Sequence, residues 1–130
     1  MHVLSSRVLL RPRDYDRTLS FYRDVIGLAI AREYPGGTVF FAGQGLIEVA
    51  GHGGSATPTT FDGAIWLQVR DIAKAQSELA AKGVPLDRPA TREPWGLDEL
   101  WITDPDGVRI VVVQVPDDHP MRRDVRSSRE

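Results

Sequence analysis

Val8-Leu9-Leu10-Arg11-Pro12-Arg13-Asp14 returns 57 positions later as Ile65-Trp66-Leu67-Gln68-Val69-Arg70-Asp71. Leu10 matches Leu67, Arg13 matches Arg70 and Asp14 matches Asp71; further on, Ser20 matches Ser77. Both copies read as an apolar strand, an Arg-Asp step and an amphipathic helix. A repeat of this size cannot bury its apolar face alone, so the two copies are expected to pack as one domain.

Working outward from the first copy, Val3 to Arg11 reads as a strand closed by Pro12. Asp14 is a good N-cap for a helix to about Ile26, which Gly27 stops. Tyr15, Leu19, Tyr22 and Ile26 share one face of it. Strands follow at about Leu28 to Tyr34, Thr38 to Ala42 and Leu46 to Ala50. Pro35-Gly36-Gly37 and Gly43-Gln44-Gly45 turn the chain between them. In the second copy, a strand at Ala64 to Val69 precedes a helix from Asp71 to Lys82, with Gly83 as its stop. Strands follow near Thr91 to Pro94, Glu99 to Thr103 and Val108 to Val115, the last two joined by Asp104-Pro105-Asp106-Gly107. The fold class is therefore α+β, with tandem β-α-β-β-β modules. Residues 1–115 form one domain of two modules (about 3–50 and 64–115), with a Gly/Ser/Thr/Pro-rich linker at 51–63. Residues 116–130 are a polar tail.

Composition excludes several classes. The chain has 130 residues, 42% apolar and 26% charged, with a formal net charge of -2. Nothing in that balance favours nucleic acid or an anionic membrane. Without cysteine there is no disulfide, thiolate nucleophile or zinc-thiolate site. No apolar run approaches the roughly 18 residues that span a bilayer, and the N-terminus has no signal-peptide pattern, so a cytoplasmic protein is expected.

Phe21-Tyr22-Arg23-Asp24-Val25-Ile26-Gly27-Leu28, Pro94-Trp95-Gly96 and Asp104-Pro105-Asp106-Gly107, in this order on a duplicated module, resemble the vicinal-oxygen-chelate superfamily. That superfamily includes glyoxalase I, bleomycin-resistance proteins and extradiol dioxygenases. The resemblance covers about residues 3 to 115. It implies curved mixed sheets around a cleft, with the helices outside. In metal-dependent members the cleft holds a divalent ion on His, Gln and Glu from the first and last strand of each module. The matching positions here are Arg7, Glu48, Ala64 and Val111. Arginine stays cationic, and Ala and Val offer no side-chain donor. His2, His52 and His119 lie at a terminus, in the linker and in the tail. Neither a metal nor another cofactor is therefore expected, and no catalytic residue is assigned.

A cleft emptied of metal chemistry is free to hold a ligand. Alternation from Ala64 turns Trp66 and Gln68 toward the cleft and Ile65, Leu67 and Val69 toward the helix. Trp66 then either stacks on a flat ligand or plugs the space. Arg7 and Glu48 meet if both point inward, and a structural ion pair is favoured over a grip on a ligand. Phe40 and Phe41 are adjacent, so only one faces inward; Phe40 is taken as the candidate, although parity alone does not choose. Leu9, which matches Trp66, joins Trp95, Trp101 and Val111 to complete the ligand-binding set. The expected function is a non-catalytic small-molecule binder. It would act as a homodimer and sequester an aromatic or largely apolar compound such as an antibiotic. The alternative is a lyase, isomerase or dioxygenase-like enzyme with an atypical or absent metal site.

Overall fold

The computed structural model describes residues 1–51 and 61–122. His52, most of the 51–63 linker and the tail from residue 123 lie outside the described residues. The chain packs as two compact units. The first is Met1–Gly63 with Asp104–Val108; the second is Ala64–Thr103 with Arg109–Glu130.

In the first unit β1 (Val8–Leu10) leads into α1 (Tyr15–Ser20), which continues as π-helical turns over Phe21–Val25. Three strands follow: β2 (Ile30–Tyr34), β3 (Gly37–Ala42) and β4 (Gly45–Ala50). The sheet order is β1-β4-β3-β2, with β1 parallel to β4 and the other pairs antiparallel. The second unit repeats this plan. It has β5 (Ala64–Gln68), α2 (Ile72–Ala81), β6 (Arg88–Arg92), β7 (Asp98–Thr103) and β8 (Arg109–Gln114), in the order β5-β8-β7-β6. The fold is α+β, with two β-α-β-β-β modules that each form a four-stranded mixed sheet.

The repeated aspartates do the same work in both copies. Asp14 and Asp71 are extended N-caps whose carboxylates accept from Arg17 N and Lys74 N, at 3.2 and 3.1 Å. Each satisfies an amide that the helix start leaves unpaired. At the other ends Gly27 and Gly83 take positive φ, of 82° and 74°, which a side chain disfavours.

Two strand expectations are corrected: β6 spans Arg88–Arg92 rather than Thr91 to Pro94, and the first strand is shorter than Val3 to Arg11. Residues 3–7 are not strand, and β1 is three residues long. It pairs only with Ile47, Glu48 and Val49 of β4, so the residues before Val8 have no ladder to join.

Helix-facing alternation builds the first core from Leu10, Phe40, Ile47 and Val49 beneath Phe21 and Tyr22. Tyr22 is fully buried, edge-on to Phe21 and 6.5 Å from Phe40 between ring centres. Its hydroxyl donates to Asp104 Oδ2 at 2.8 Å. Beside it Thr18 Oγ1 donates to Asp106 Oδ2 at 2.6 Å, and Arg13 N donates to Asp106 Oδ1 at 3.0 Å. Asp104 Oδ1 accepts from Asp106 N and Val108 N, both at 2.8 Å, which closes the turn. Burial raises the pKa of Tyr22 well above the phenol range, and the nearby Asp104 charge adds to it. Burial also raises Asp104. Burial acts the same way on Asp106, but hydrogen bonds from Thr18 and Arg13 outweigh it and leave that carboxyl below its usual range. In the second unit α2 sets Ile72 and Leu79 on the sheet, against a core that includes Ile65, Leu100, Ile102 and Ile110.

Candidate functional site

Each sheet has one face under its helix and one face turned away. On the first sheet the register puts Leu9, Glu48 and Val39 in one row of the helix-free face, with Phe41 one step along β3. Glu48 is a buried carboxylate, 8% exposed. Arg7 Nη1 donates to its Oε1 at 3.0 Å, and the Tyr34 hydroxyl donates to its Oε2. Gly37 faces Tyr34 across the β2–β3 ladder. A Cβ there would run into the Tyr34 ring, so glycine gives the phenol room to reach Glu48. The hydrogen bond to Glu48 is the main cause of a raised Tyr34 pKa. Both oxygens of Glu48 are thus engaged by donors.

On the second sheet Trp66, Val111, Trp101 and Arg88 form one row across all four strands. Gln68, Val113 and Glu99 form the next row, and Ala64, Arg109 and Thr103 flank the other side. Val111 and Val113 are buried with Leu97 and Val115, and Trp101 packs against that cluster. Beside it lies a groove of about 290 Å³ lined by Arg88, Glu93, Trp95, Glu99, Trp101 and Arg109. Arg88 Nη2 is ion-paired with Glu93. Trp95 Nε1 donates to Glu99 Oε2 at 2.9 Å. The Arg109 guanidinium lies over the Trp101 ring, 4.3 Å from its centre. The Trp95 carbonyl is held by His119 Nε2 at 3.0 Å, so the start of the tail steadies this groove wall.

Most of the expected residues lie on the helix-free faces, distributed between the two units. Arg7, Leu9 and Glu48 belong to the first; Trp66, Gln68, Trp95, Trp101 and Val111 to the second. Trp66 and Trp95 are 45% and 57% exposed. Val111 is on the right face but buried, so it supports Trp101 more than it meets solvent. Phe40 is the correction. It is fully buried against Tyr22 on the helix side, and Phe41, 52% exposed, takes the helix-free face. Sequence reading missed Tyr34, Arg88, Glu93, Glu99 and Arg109. Stepping two residues back from Val111 and from Trp101 reaches Arg109 and Glu99, so that signal was present.

A family model described as the Glyoxalase/Bleomycin resistance protein/Dioxygenase superfamily matches residues 4–112. The chain belongs to this superfamily. Solved members share its fold. Lactoylglutathione lyase from Agrobacterium tumefaciens has 22% identity and a TM-score of 0.67, over 83% of this chain and 90% of that one. TioX from Micromonospora sp. ML1 has 21% identity and a TM-score of 0.72, over 86% and 98%. A glyoxalase/bleomycin resistance protein/dioxygenase from Nocardioides has 16% identity and a TM-score of 0.70, over 92% and 89%. No curated protein is significantly similar in sequence to this chain.

The divalent metal of the superfamily's metal-dependent members finds no fitting donor set in these residues. At the four matching positions Glu48 is tied to Arg7 and Tyr34, and Ala64 and Val111 bring only hydrocarbon. Among the described residues no three His, Cys, Asp or Glu side chains come together as a metal-holding group. No helix among them is long and apolar enough to cross a membrane.

Proposed function

We propose that this protein is a non-catalytic small-molecule binder whose ligand is planar and aromatic. Sequestration of an antibiotic-like compound is the form this function takes. One observation carries the reading: all three tryptophans of the chain lie along the helix-free side of the second unit, and two of them are about half exposed. Exposed indole rings gathered along one face mark a binding surface, and a flat ligand stacks on them well. The rival reading, an enzyme like the Agrobacterium lyase, needs a free carboxylate or a metal. Glu48 is held by two donors, and Arg7, Ala64 and Val111 at the other metal positions offer no ligand atom suited to a cation.

The test is a titration of planar aromatic compounds followed by tryptophan fluorescence, beside elemental analysis of untagged protein. Saturable quenching with well under one equivalent of bound zinc, nickel, iron or manganese is expected. A stoichiometric metal lost on Glu48→Ala, with turnover of lactoylglutathione, would replace this reading with the enzymatic one.

A further inference from the structure

We propose that the groove of the second unit selects planar monoanions, aromatic carboxylates above all, with Arg109 as the anchoring residue. The inference rests on the aromatic-binding reading above and adds the charge of the ligand to it. Its basis is which groups in the groove are already satisfied and which are not.

Both carboxylates there hold a donor: Glu93 has Arg88, and Glu99 has the Trp95 indole N–H. The donors are not all used. Arg88 Nε is buried and has no hydrogen-bond partner. Arg109 is an exposed guanidinium, and among the described residues its contact is with the Trp101 ring, with no hydrogen bond or ion pair to the protein. A guanidinium held over an indole by cation–π attraction spends none of its N–H donors on a carboxylate or carbonyl, so they stay available to a ligand. Arg88 Nε lies too deep for a ligand, so the open donors of the groove are those of Arg109, and a ligand that uses them brings an acceptor. A carboxylate matches a guanidinium with two parallel hydrogen bonds.

The neighbours of Arg109 narrow the class further. Trp101 lies under the guanidinium and Trp95 borders the same groove, so a ring attached to the bound carboxylate meets indole surface. Glu93 and Glu99 are 9% and 6% exposed, and their charges disfavour a dianion such as a phosphate monoester. A volume of about 290 Å³ sits at the small end of ligand pockets, which start near roughly 300 Å³. A one- or two-ring monocarboxylic acid is the class that fits.

The experiment compares 2-naphthoate with neutral 2-naphthamide by fluorescence titration, on the wild type, Arg109→Gln and Arg109→Lys. The acid is expected to bind at least about tenfold more tightly than the amide, the span of one charge-assisted hydrogen bond. Arg109→Gln should abolish that preference, and Arg109→Lys should restore it only in part. Wild-type affinity for the acid should fall between about 50 and about 500 mM salt, and affinity for the amide should not. The salt series decides the matter even if a variant does not fold. Equal affinity for acid and amide, or a preference that survives Arg109→Gln, overturns the inference and leaves aromatic binding standing. If neither compound nor any neutral planar aromatic binds, both readings fall.

Discussion

Replacing Tyr22 with Phe removes one oxygen and leaves the ring in place against Phe21 and Phe40. The lost group is a hydroxyl 2.8 Å from Asp104 Oδ2, at a side chain with no exposed surface. Hydrogen bonds to charged groups contribute about 1.5–3 kcal/mol, so Tyr22→Phe should cost about 2 kcal/mol at pH 7. The pH dependence gives a sharper check. Burial and Asp104 raise the folded-state pKa of Tyr22 far above the unfolded value of 10.0. A raised pKa means that the stabilisation is complete below pH 10 and is lost as pH rises beyond it. Above that point the unfolded chain releases a proton that the folded chain retains, at about 1.4 kcal/mol per pH unit. Wild type should therefore lose about that much stability between pH 9 and pH 11 through this residue, and Tyr22→Phe should not. The gap between the two proteins should shrink from about 2 to under about 1 kcal/mol. Urea melts at pH 7, 9 and 11 measure it. A gap that stays constant with pH, or is absent at pH 7, refutes the buried Tyr22–Asp104 pair as a source of stability.

Trp95→Ala should weaken binding of a planar aromatic ligand about tenfold, because Trp95 lines the groove. It should cost only about 1–2 kcal/mol of stability, because Trp95 is 57% exposed and a fully buried tryptophan would cost about 3–5; denaturant melts beside fluorescence titrations read both effects. The outer strands β1 and β5 are each paired on one side only, and a two-fold homodimer is the expected way to cover such edges and the apolar faces beside them. Sedimentation at micromolar concentration should then show a species twice the 14.4 kDa chain, and a single species at chain mass would reject the dimer.

The repeat made the architecture legible because the same physics acts in both copies. Asp14 and Asp71 cap, Gly27 and Gly83 stop, and alternation assigns strand faces as it did for Trp66 and Gln68. Legibility failed where partners decide. Nothing local in Val3 to Arg7 says that β4 offers β1 only three partners. The order Phe40-Phe41 does not disclose which ring meets Tyr22; that depends on a side chain eighteen positions earlier in sequence and on the register of β3. The Arg7–Glu48 pair was foreseeable from residue type, but the third member, Tyr34, needed the space that Gly37 leaves. The charged lining of the second groove was hidden for a different reason. Arg88, Glu93 and Glu99 read as ordinary surface charges until β6 and β7 place them beside tryptophans.

The turn at 104–108 has a consequence for how the chain is made. The first unit is discontinuous: Tyr22, Thr18 and Arg13 take their carboxylate partners from residues 82 to 93 positions downstream. A ribosome that has released the first 63 residues has delivered every strand of that unit but not the turn that satisfies its buried hydroxyls. The nascent first module must wait, incomplete, until residues 64–103 of the second have been threaded out behind it. Synthesis of the N-terminal half alone should therefore yield a chain prone to association, and folding should follow the completion of translation rather than accompany it.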